Sequence, residues 1–228
     1  VKPIYFPEPD QTTVLRLGLQ PLDPRHWLHV DADLAQFHNH KLEQQLLRPT
    51  AVLHTQPGSE AAIAELGSMV ARHLTNDLKT HVLPESDRLV HPESGLSWPL
   101  TADDLWQVSL WVQEDLCVLE YVEDSYRLTA ASVCSPSNWD PASKIGRSLD
   151  DIHGPVPGYA QELATRVDRL FAALKPDKPL LRYNWSLQPG SELYWQAKTD
   201  QESQAPTHWR VERQTLRRLP KSGAIVFG

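Results

Sequence analysis

The stretch DLCVLEYVEDSYRLTAASVCSP, residues 115–136, decides the fold class of this 228-residue chain. Two segments rich in apolar and β-branched residues flank the polar pair Glu123–Asp124, a pattern that predicts two antiparallel strands joined by a turn. Both segments are nearly continuous in apolar character, so we expect the hairpin to belong to a mostly buried sheet.

Two helices are predicted before this hairpin. Asp33 is the expected N-cap of the first, in which apolar residues recur at helical spacing at Leu34, Phe37, Leu42 and Leu46. Ser59 is the expected N-cap of the second, which extends to about Leu78 and buries Ala62, Ile63, Leu66, Met69, Val70 and Leu74. Residues 84–100 contain three prolines and are expected to form a loop, followed by a short helical stretch through Trp106.

After the hairpin the sequence predicts a helical crossing and then more strands. We expect a long ordered loop with one helical turn at Ser148–Ile152, and a third helix from about Tyr159 to Leu174. The final strands are LLRYNWSLQ, HWRVERQTLRRL and GAIVFG. This order indicates one α+β domain over residues 1–228, an antiparallel sheet with helices on one face. Because the chain ends in an apolar strand, we expect further residues after Gly228.

Composition and charge narrow the function classes. No run of eighteen apolar residues and no secretory leader pattern occurs, so we expect a cytoplasmic protein without a membrane span. Cys117 and Cys134 are expected to be buried free thiols rather than a disulfide or a metal site. The net charge is −7, whereas residues 207–221 hold five basic and one acidic residue. That distribution argues against nucleic-acid binding and favours one anionic group, or a charged protein partner, at a single place.

The segment DIHGPVPGY, residues 151–159, presents one histidine on a backbone restrained by two prolines and two glycines. A rigidly held imidazole suits a metal ligand or a catalytic base, so His153 is a candidate for either role. The alternative is that His153 only satisfies a loop carbonyl. No HExxH, GxSxG, GxGxxG or P-loop motif occurs, which leaves the corresponding hydrolase and nucleotide-binding sites unsupported.

Two later strands carry further candidates. Alternation in WRVERQTLRRLP, residues 209–220, places Trp209, Val211, Arg213, Thr215 and Arg217 on one face. Such a face suits an apolar plate with anionic edges, although a solvated edge strand would show the same pattern. In RYNWSL, residues 182–187, Arg182, Asn184 and Ser186 share one face, and Tyr183, Trp185 and Leu187 share the other.

Four segments together resemble the haem-binding α subunit of haem-dependent oxidative N-demethylase, from about Gly18 to Phe227. They are GLQPLDPRHWLHVDADL, AASVCSPSNWDPASKIGRSLDDIHGPVPGY, LRYNWSLQ and WRVERQTLRRLPKSGAIVF. The IHGPVPGY and ERQTLRRLP segments are the most specific parts. The resemblance implies a PAS-like domain, preceded by an N-terminal helical extension, that holds haem b.

The resemblance also implies an activity and site roles. The activity is oxidative removal of an N-methyl group from a secondary amine such as dimethylamine, with O₂, and it releases formaldehyde. Electrons would come from a partner flavin and iron–sulfur protein, and a folate-linked subunit would take the formaldehyde. His153 would be the iron ligand, Arg213 and Arg217 would meet the haem propionates or the distal side, and Glu212 would accept a proton from the amine. Asn184 and Trp185 are further pocket candidates.

Strand alternation conflicts with one part of this assignment, because Glu212 and Arg213 are adjacent and point to opposite faces unless a bulge intervenes. Two other functions also stay open. The chain could be a non-catalytic haem sensor or haem carrier, or an interaction domain without a cofactor. The eight tryptophans fit a flat ligand, with Trp139, Trp185 and Trp209 inside three of the resembling segments and Trp27 in the more loosely matching N-terminal one.

Overall fold

The computed structural model describes residues 17–153, 164–196 and 205–228 of the chain. The α-helices within these ranges are Leu34–Leu47 (α1), Pro49–Val52 (α2), Glu60–Arg72 (α3), Leu105–Leu110 (α4), Leu149–His153 (α5) and Ala164–Ala173 (α6). The strands are Gln20–Pro21 (β1), Leu53–Thr55 (β2), Val82–Glu85 (β3), Arg88–His91 (β4), Leu96–Pro99 (β5), Leu116–Val122 (β6), Ser125–Ser132 (β7), Leu180–Gln188 (β8), His208–Arg218 (β9) and Ile225–Phe227 (β10). A π-helical segment at His73–Asp77 continues α3.

Seven of the described strands form one antiparallel sheet in the order β1-β8-β9-β10-β6-β7-β2. The helices α5 and α6 lie between β7 and β8 along the chain. The predicted α+β class and the antiparallel sheet with flanking helices are therefore confirmed. The arrangement is compatible with a PAS-like domain.

The β6–β7 hairpin forms where the sequence predicts it. Glu123 and Asp124 adopt left-handed backbone angles, with φ values of 49° and 61°. Two consecutive positive φ angles are typical of the tight turns that match the twist of antiparallel strands. Leu116, Val118 and Leu128 in the two strands are at most 2% exposed, so the hairpin lies within the core as expected.

The large sheet separates two apolar cores, one on each face. We call one face the Trp27 face, whose core includes Trp27, Leu34, Leu66, Val118 and Val226 and packs against α1, α3 and α4. We call the other the His153 face, whose core includes Leu119, Leu149, Ile152, Phe171, Leu216 and Ile225 and packs against α5 and α6. The prediction of helices on only one face is thus wrong, because both faces are apolar and each needs cover.

Helix α1 begins after Asp33 as predicted, although the Asp33 side chain makes no capping hydrogen bond. Its buried face differs from the prediction. Leu42 and Leu46 are 43% and 82% exposed, whereas Lys41 is fully buried. The Lys41 ammonium donates hydrogen bonds to the carbonyls of Ser109, Val112 and Glu114 at 2.8, 3.1 and 2.5 Å. Polar contacts across the fold, rather than an apolar stripe, therefore fix the orientation of this helix.

Residues 84–100 are not a loop. Strands β3, β4 and β5 form a separate three-stranded antiparallel sheet, in which Leu89 and Trp98 are buried against the core on the Trp27 face. Two of the prolines lie on the outer strands of this small sheet, Pro84 in β3 and Pro99 at the end of β5. Those positions tolerate a missing backbone N–H, so the prolines do not exclude strands here.

The other predicted elements form, with differences at their ends. Helix α3 follows Ser59 and buries all six residues expected to be inward, although the Ser59 side chain makes no capping hydrogen bond. The short helix expected to end at Trp106 continues to Leu110. The last three strands and the one-turn helix α5 also form, and Cys117 and Cys134 are buried free thiols. The expected start of the third helix at Tyr159 lies outside the described residues. Within the described part of the chain, no helix has the length and apolar character needed to cross a membrane.

Candidate functional site

His153 is the last residue of α5, and its ring is held by that helix. The ring atom Nδ1 lies 2.9 Å from the carbonyl oxygen of Leu149, one helical turn earlier. A carbonyl oxygen only accepts hydrogen bonds, so Nδ1 carries the proton and Nε2 carries the lone pair. This is the tautomer of a histidine that binds a metal through Nε2 while a backbone carbonyl orients the ring.

The electrostatic surroundings favour the neutral form of the His153 ring. Burial lowers its pKa most, and the positive charges of Arg182 and Lys144 lower it further. The hydrogen bond to Leu149 and the charge of Asp150 act in the opposite direction. A neutral imidazole is the form that ligates a metal ion. Burial therefore favours the form of the His153 ring that can act as a ligand.

The strands β8 and β9 place a polar network on the His153 face. Arg182 pairs with Gln214 and Asn184 pairs with Glu212 across the two strands, without a register shift. Arg182 Nε donates to Gln214 Oε1 at 2.6 Å, and Gln214 Nε2 donates to Glu212 Oε2 at 2.9 Å. These side chains share the face of Leu216, which packs in the same core as Leu149 and Ile152 of α5.

Glu212 lies at the centre of this network. Its Oε2 atom accepts hydrogen bonds from Asn184 at 3.2 Å and from Gln214, and its Oε1 atom accepts from Arg210 Nε at 2.8 Å. Arg210 is only 11% exposed in this ion pair and also donates to the carbonyls of Leu193 and Ser135. The network therefore ties β9 to two loop segments through Arg210.

Arg213, Arg217 and Trp185 lie on the Trp27 face, opposite Glu212. Arg213 donates to the carbonyls of His26 and Trp27 at 2.5 and 3.2 Å, and its side chain lies 3.7 Å from Glu114. Trp185 is 45% exposed and meets Trp209 edge to face. The structure brings Asn184 and Glu212 to the His153 face but does not bring these three residues there. The haem contacts expected for them therefore stay predictions.

The sequence reasoning missed Arg182, Arg210 and Gln214 as members of the site. Strand alternation from Glu212 to Arg210 and Gln214 could have found two of them, since all three share one face. Arg182 shares its face with Asn184, but its position beside Gln214 depends on the register between β8 and β9. Trp139 is partly buried against the core on the His153 face, so of the four tryptophans in the resembling segments it alone lies there.

The side chains near His153 suit a metal ion that is already bound by most of its ligands within a cofactor. Among residues 17–153, 164–196 and 205–228, no three histidine, cysteine or acidic side chains cluster so as to hold a metal ion. Haem iron needs only an axial ligand from the protein, and an oriented neutral histidine is a common one. The apolar core beside His153 and the cationic side chains near it match the apolar plate and anionic edge of haem.

The fold is an α+β arrangement, and His153 is the metal-ligand candidate that the sequence predicts on one face of its large sheet. The chain belongs to the haem-dependent oxidative N-demethylase, alpha subunit-like family, because the family model matches residues 18–228. This match covers both cores of the large sheet and every site residue described above. It confirms the resemblance drawn from the four sequence segments.

Proposed function

We propose that this chain is the haem-binding subunit of an oxidative N-demethylase for a small methylated secondary amine such as dimethylamine. The reaction breaks the N–CH₃ bond and adds one oxygen atom of O₂ to the methyl carbon, which leaves as formaldehyde. The other oxygen atom becomes water, with electrons from a partner flavin and iron–sulfur protein. A folate-linked subunit is a further proposed partner. The family match and the metal-binding tautomer of His153 support this proposal.

In this proposal His153 holds haem b through Nε2, within a PAS-like domain that spans the chain. The bound haem supplies the activation of O₂, and the protein supplies orientation and electrostatics. The Leu149 carbonyl fixes the plane of the imidazole, and burial keeps the ring neutral. The two buried thiols fit a cytoplasmic location, where cysteines stay reduced.

Glu212 and Asn184 are proposed to receive the amine. A carboxylate has about four acceptor positions, and Glu212 uses three of them for Asn184, Gln214 and Arg210. The remaining position is on Oε1, which can accept an N–H of a cationic amine and hold its methyl group in a fixed direction. The net charge of −7 also favours a cationic substrate over an anionic one.

A second candidate function is a non-catalytic haem sensor or haem carrier. The observation that favours it is also at Glu212. Asn184, Gln214 and Arg210 take three of its about four acceptor positions, so the carboxylate can hold a cation in place without taking part in a reaction.

The first experiment is a haem titration of the purified protein followed by its Soret band. We expect tight binding by the wild type, loss or a clear shift of the band in His153→Ala, and an unchanged band in His29→Ala, whose ring is exposed. An unchanged spectrum in His153→Ala would contradict the assignment of the iron ligand. A protein that takes up no haem would overturn both candidate functions.

The second experiment separates the enzyme from the sensor. The haem-loaded protein is supplied with a chemical reductant, O₂ and a panel of methylated amines, and formaldehyde is measured. The enzyme proposal expects release that falls at least tenfold in Glu212→Gln, because this change removes the negative charge that faces the amine. No release from any amine of the panel would favour the sensor or carrier.

A further inference from the structure

Arg182 is a cationic side chain on the His153 face that forms no ion pair with any acidic residue in the described parts of the chain, although it lies in the field of Glu212. We propose that Arg182 binds a carboxylate beside His153; resting on the proposed function, that carboxylate is a propionate of the haem. The sequence had placed this role on Arg213 and Arg217, which lie on the other face of the sheet.

The contacts of Arg182 leave one edge of its guanidinium group available. Its Nε atom donates to Gln214 Oε1 at 2.6 Å, and Gln214 in turn donates to Glu212. Among the described residues, its two terminal nitrogens make no hydrogen bond. The Gln214 contact therefore fixes the plane of the group, and no residue that the structure describes occupies the terminal nitrogens, which can donate to a carboxylate.

The charges around Arg182 and His153 also favour the binding of an anion. Arg182 is partly buried and forms no ion pair within the described ranges, and a desolvated guanidinium is unfavourable without a negative partner. The nearest acid on its face, Glu212, is already paired with Arg210 at 2.8 Å. Lys144 adds a second positive charge close to His153. The space beside the imidazole is thus positive and suits a carboxylate.

Neighbouring arginines are occupied, which distinguishes Arg182 from them. Arg218 donates to the carbonyls of Leu174, Phe171 and Gly223 and to the Tyr126 hydroxyl. Arg213 donates to two backbone carbonyls, and Arg217 stacks on the Trp27 ring. These groups hold the fold together. A carboxylate on the His153 face would therefore meet Arg182 first.

The test measures four dissociation constants, for two proteins that differ at Arg182 and two ligands that differ in the charge of their propionates. Wild type and Arg182→Met are each titrated with haem and with haem dimethyl ester, whose propionates carry no charge. We expect Arg182→Met to weaken haem binding about tenfold or more, as for loss of a charge-assisted hydrogen bond. The ester should bind the wild type more weakly by a similar factor but should bind both proteins equally.

Matched variants make the result specific. Arg182→Lys keeps the charge but loses the paired donors, so we expect partial recovery of haem affinity. Arg169→Met removes an exposed arginine of α6 and should leave both affinities unchanged. Arg217→Met tests the opposite face and should show the same effect of esterification as the wild type. The comparison of haem with its ester in the wild type needs no variant, so it stands even if Arg182→Met folds poorly.

The outcomes separate this inference from the proposed function. If the wild type binds neither haem nor its ester, the proposed function fails. If haem binds tightly and Arg182→Met binds it equally well, the inference is overturned and the proposed function stands. A third outcome is that Arg217→Met or Arg213→Met binds haem and its ester equally well, while Arg182→Met still binds haem more tightly than the ester. In that case the propionate lies on the Trp27 face and Arg182 is not its partner.

Discussion

The guanidinium carbon of Arg217 lies 4.6 Å from the centroid of the Trp27 ring, and the same indole lies 5.6 Å from the ring of His73. Trp27 is fully buried, so the side chains of β9 and the π-helical segment enclose it on the Trp27 face. This packing ties the N-terminal part of the described chain to the large sheet, and it gives Arg217 a structural role.

Arg217→Met should therefore lower stability rather than haem affinity. Loss of a stacked cation–aromatic contact costs about 0.5–2 kcal/mol. The free energy of unfolding from urea denaturation should fall by that amount, while Arg166→Met, an exposed change in α6, should be nearly neutral. Weaker haem binding with unchanged stability would show that Arg217 acts at the ligand instead.

Lys41→Met is expected to be among the most destabilising single changes in the protein. The change removes the ammonium that joins α1 to the carbonyls of Ser109, Val112 and Glu114 and leaves those buried acceptors without their donor. We expect a loss of about 3 kcal/mol, because a buried acceptor left without its donor costs about 1–3 kcal/mol. Urea denaturation measures it, with the exposed Lys178→Met as control. A loss below about 1 kcal/mol would mean that water replaces the lysine.

The pH dependence of stability should include a contribution from His81. Burial, and secondly the nearby His91, lowers the pKa of His81 from 6.5 to about 4. Between these values the unfolded chain binds a proton that the folded chain does not, so stability falls as pH drops from 6.5 to 4. The loss is about 3 kcal/mol. Denaturation of wild type and His81→Asn at pH 7 and pH 4.5 should show a smaller pH effect in the variant.

Gly67→Ala should destabilise the protein although alanine is the better helix former. A Cβ atom at Gly67 would overlap the backbone carbonyl of Ala102, so the two segments would have to separate. Alanine gains about 1 kcal/mol in helix propensity, but overpacking costs about 1–3 kcal/mol. The net change in thermal midpoint should therefore be downward, whereas Ser68→Ala on the exposed side should leave it nearly unchanged.

The sequence predicted those parts of the fold that local patterns determine. The β6–β7 hairpin, the strands β8 to β10 and helix α3 follow from alternation, turn residues and helical spacing. The burial of Lys41 could not be predicted, because its acceptors lie 68 to 73 residues away. The small sheet was missed because its short strands contain prolines at positions that only the edge of a sheet permits.

Three candidates drawn from sequence motifs, His153, Glu212 and Asn184, lie on one side of the sheet. Their roles in a site stay predictions. Arg182 was missed because its partner Gln214 is on another strand, 32 residues away. Which arginine lies on the face of His153 depends on how β8 pairs with β9. This register cannot be predicted from a single sequence.

The side chains of strand β9 alternate between the two faces of the large sheet. Arg210, Glu212 and Gln214 lie on the His153 face. Arg213 and Arg217 lie on the Trp27 face. Substitutions at Glu212 and Gln214 should therefore disturb the polar network beside His153, whereas substitutions at Arg213 and Arg217 should disturb the packing around Trp27. Leu216 and Arg218 are exceptions on the His153 face, because one packs in the core and the other bonds backbone carbonyls of the segment that follows α6 and of the turn before β10.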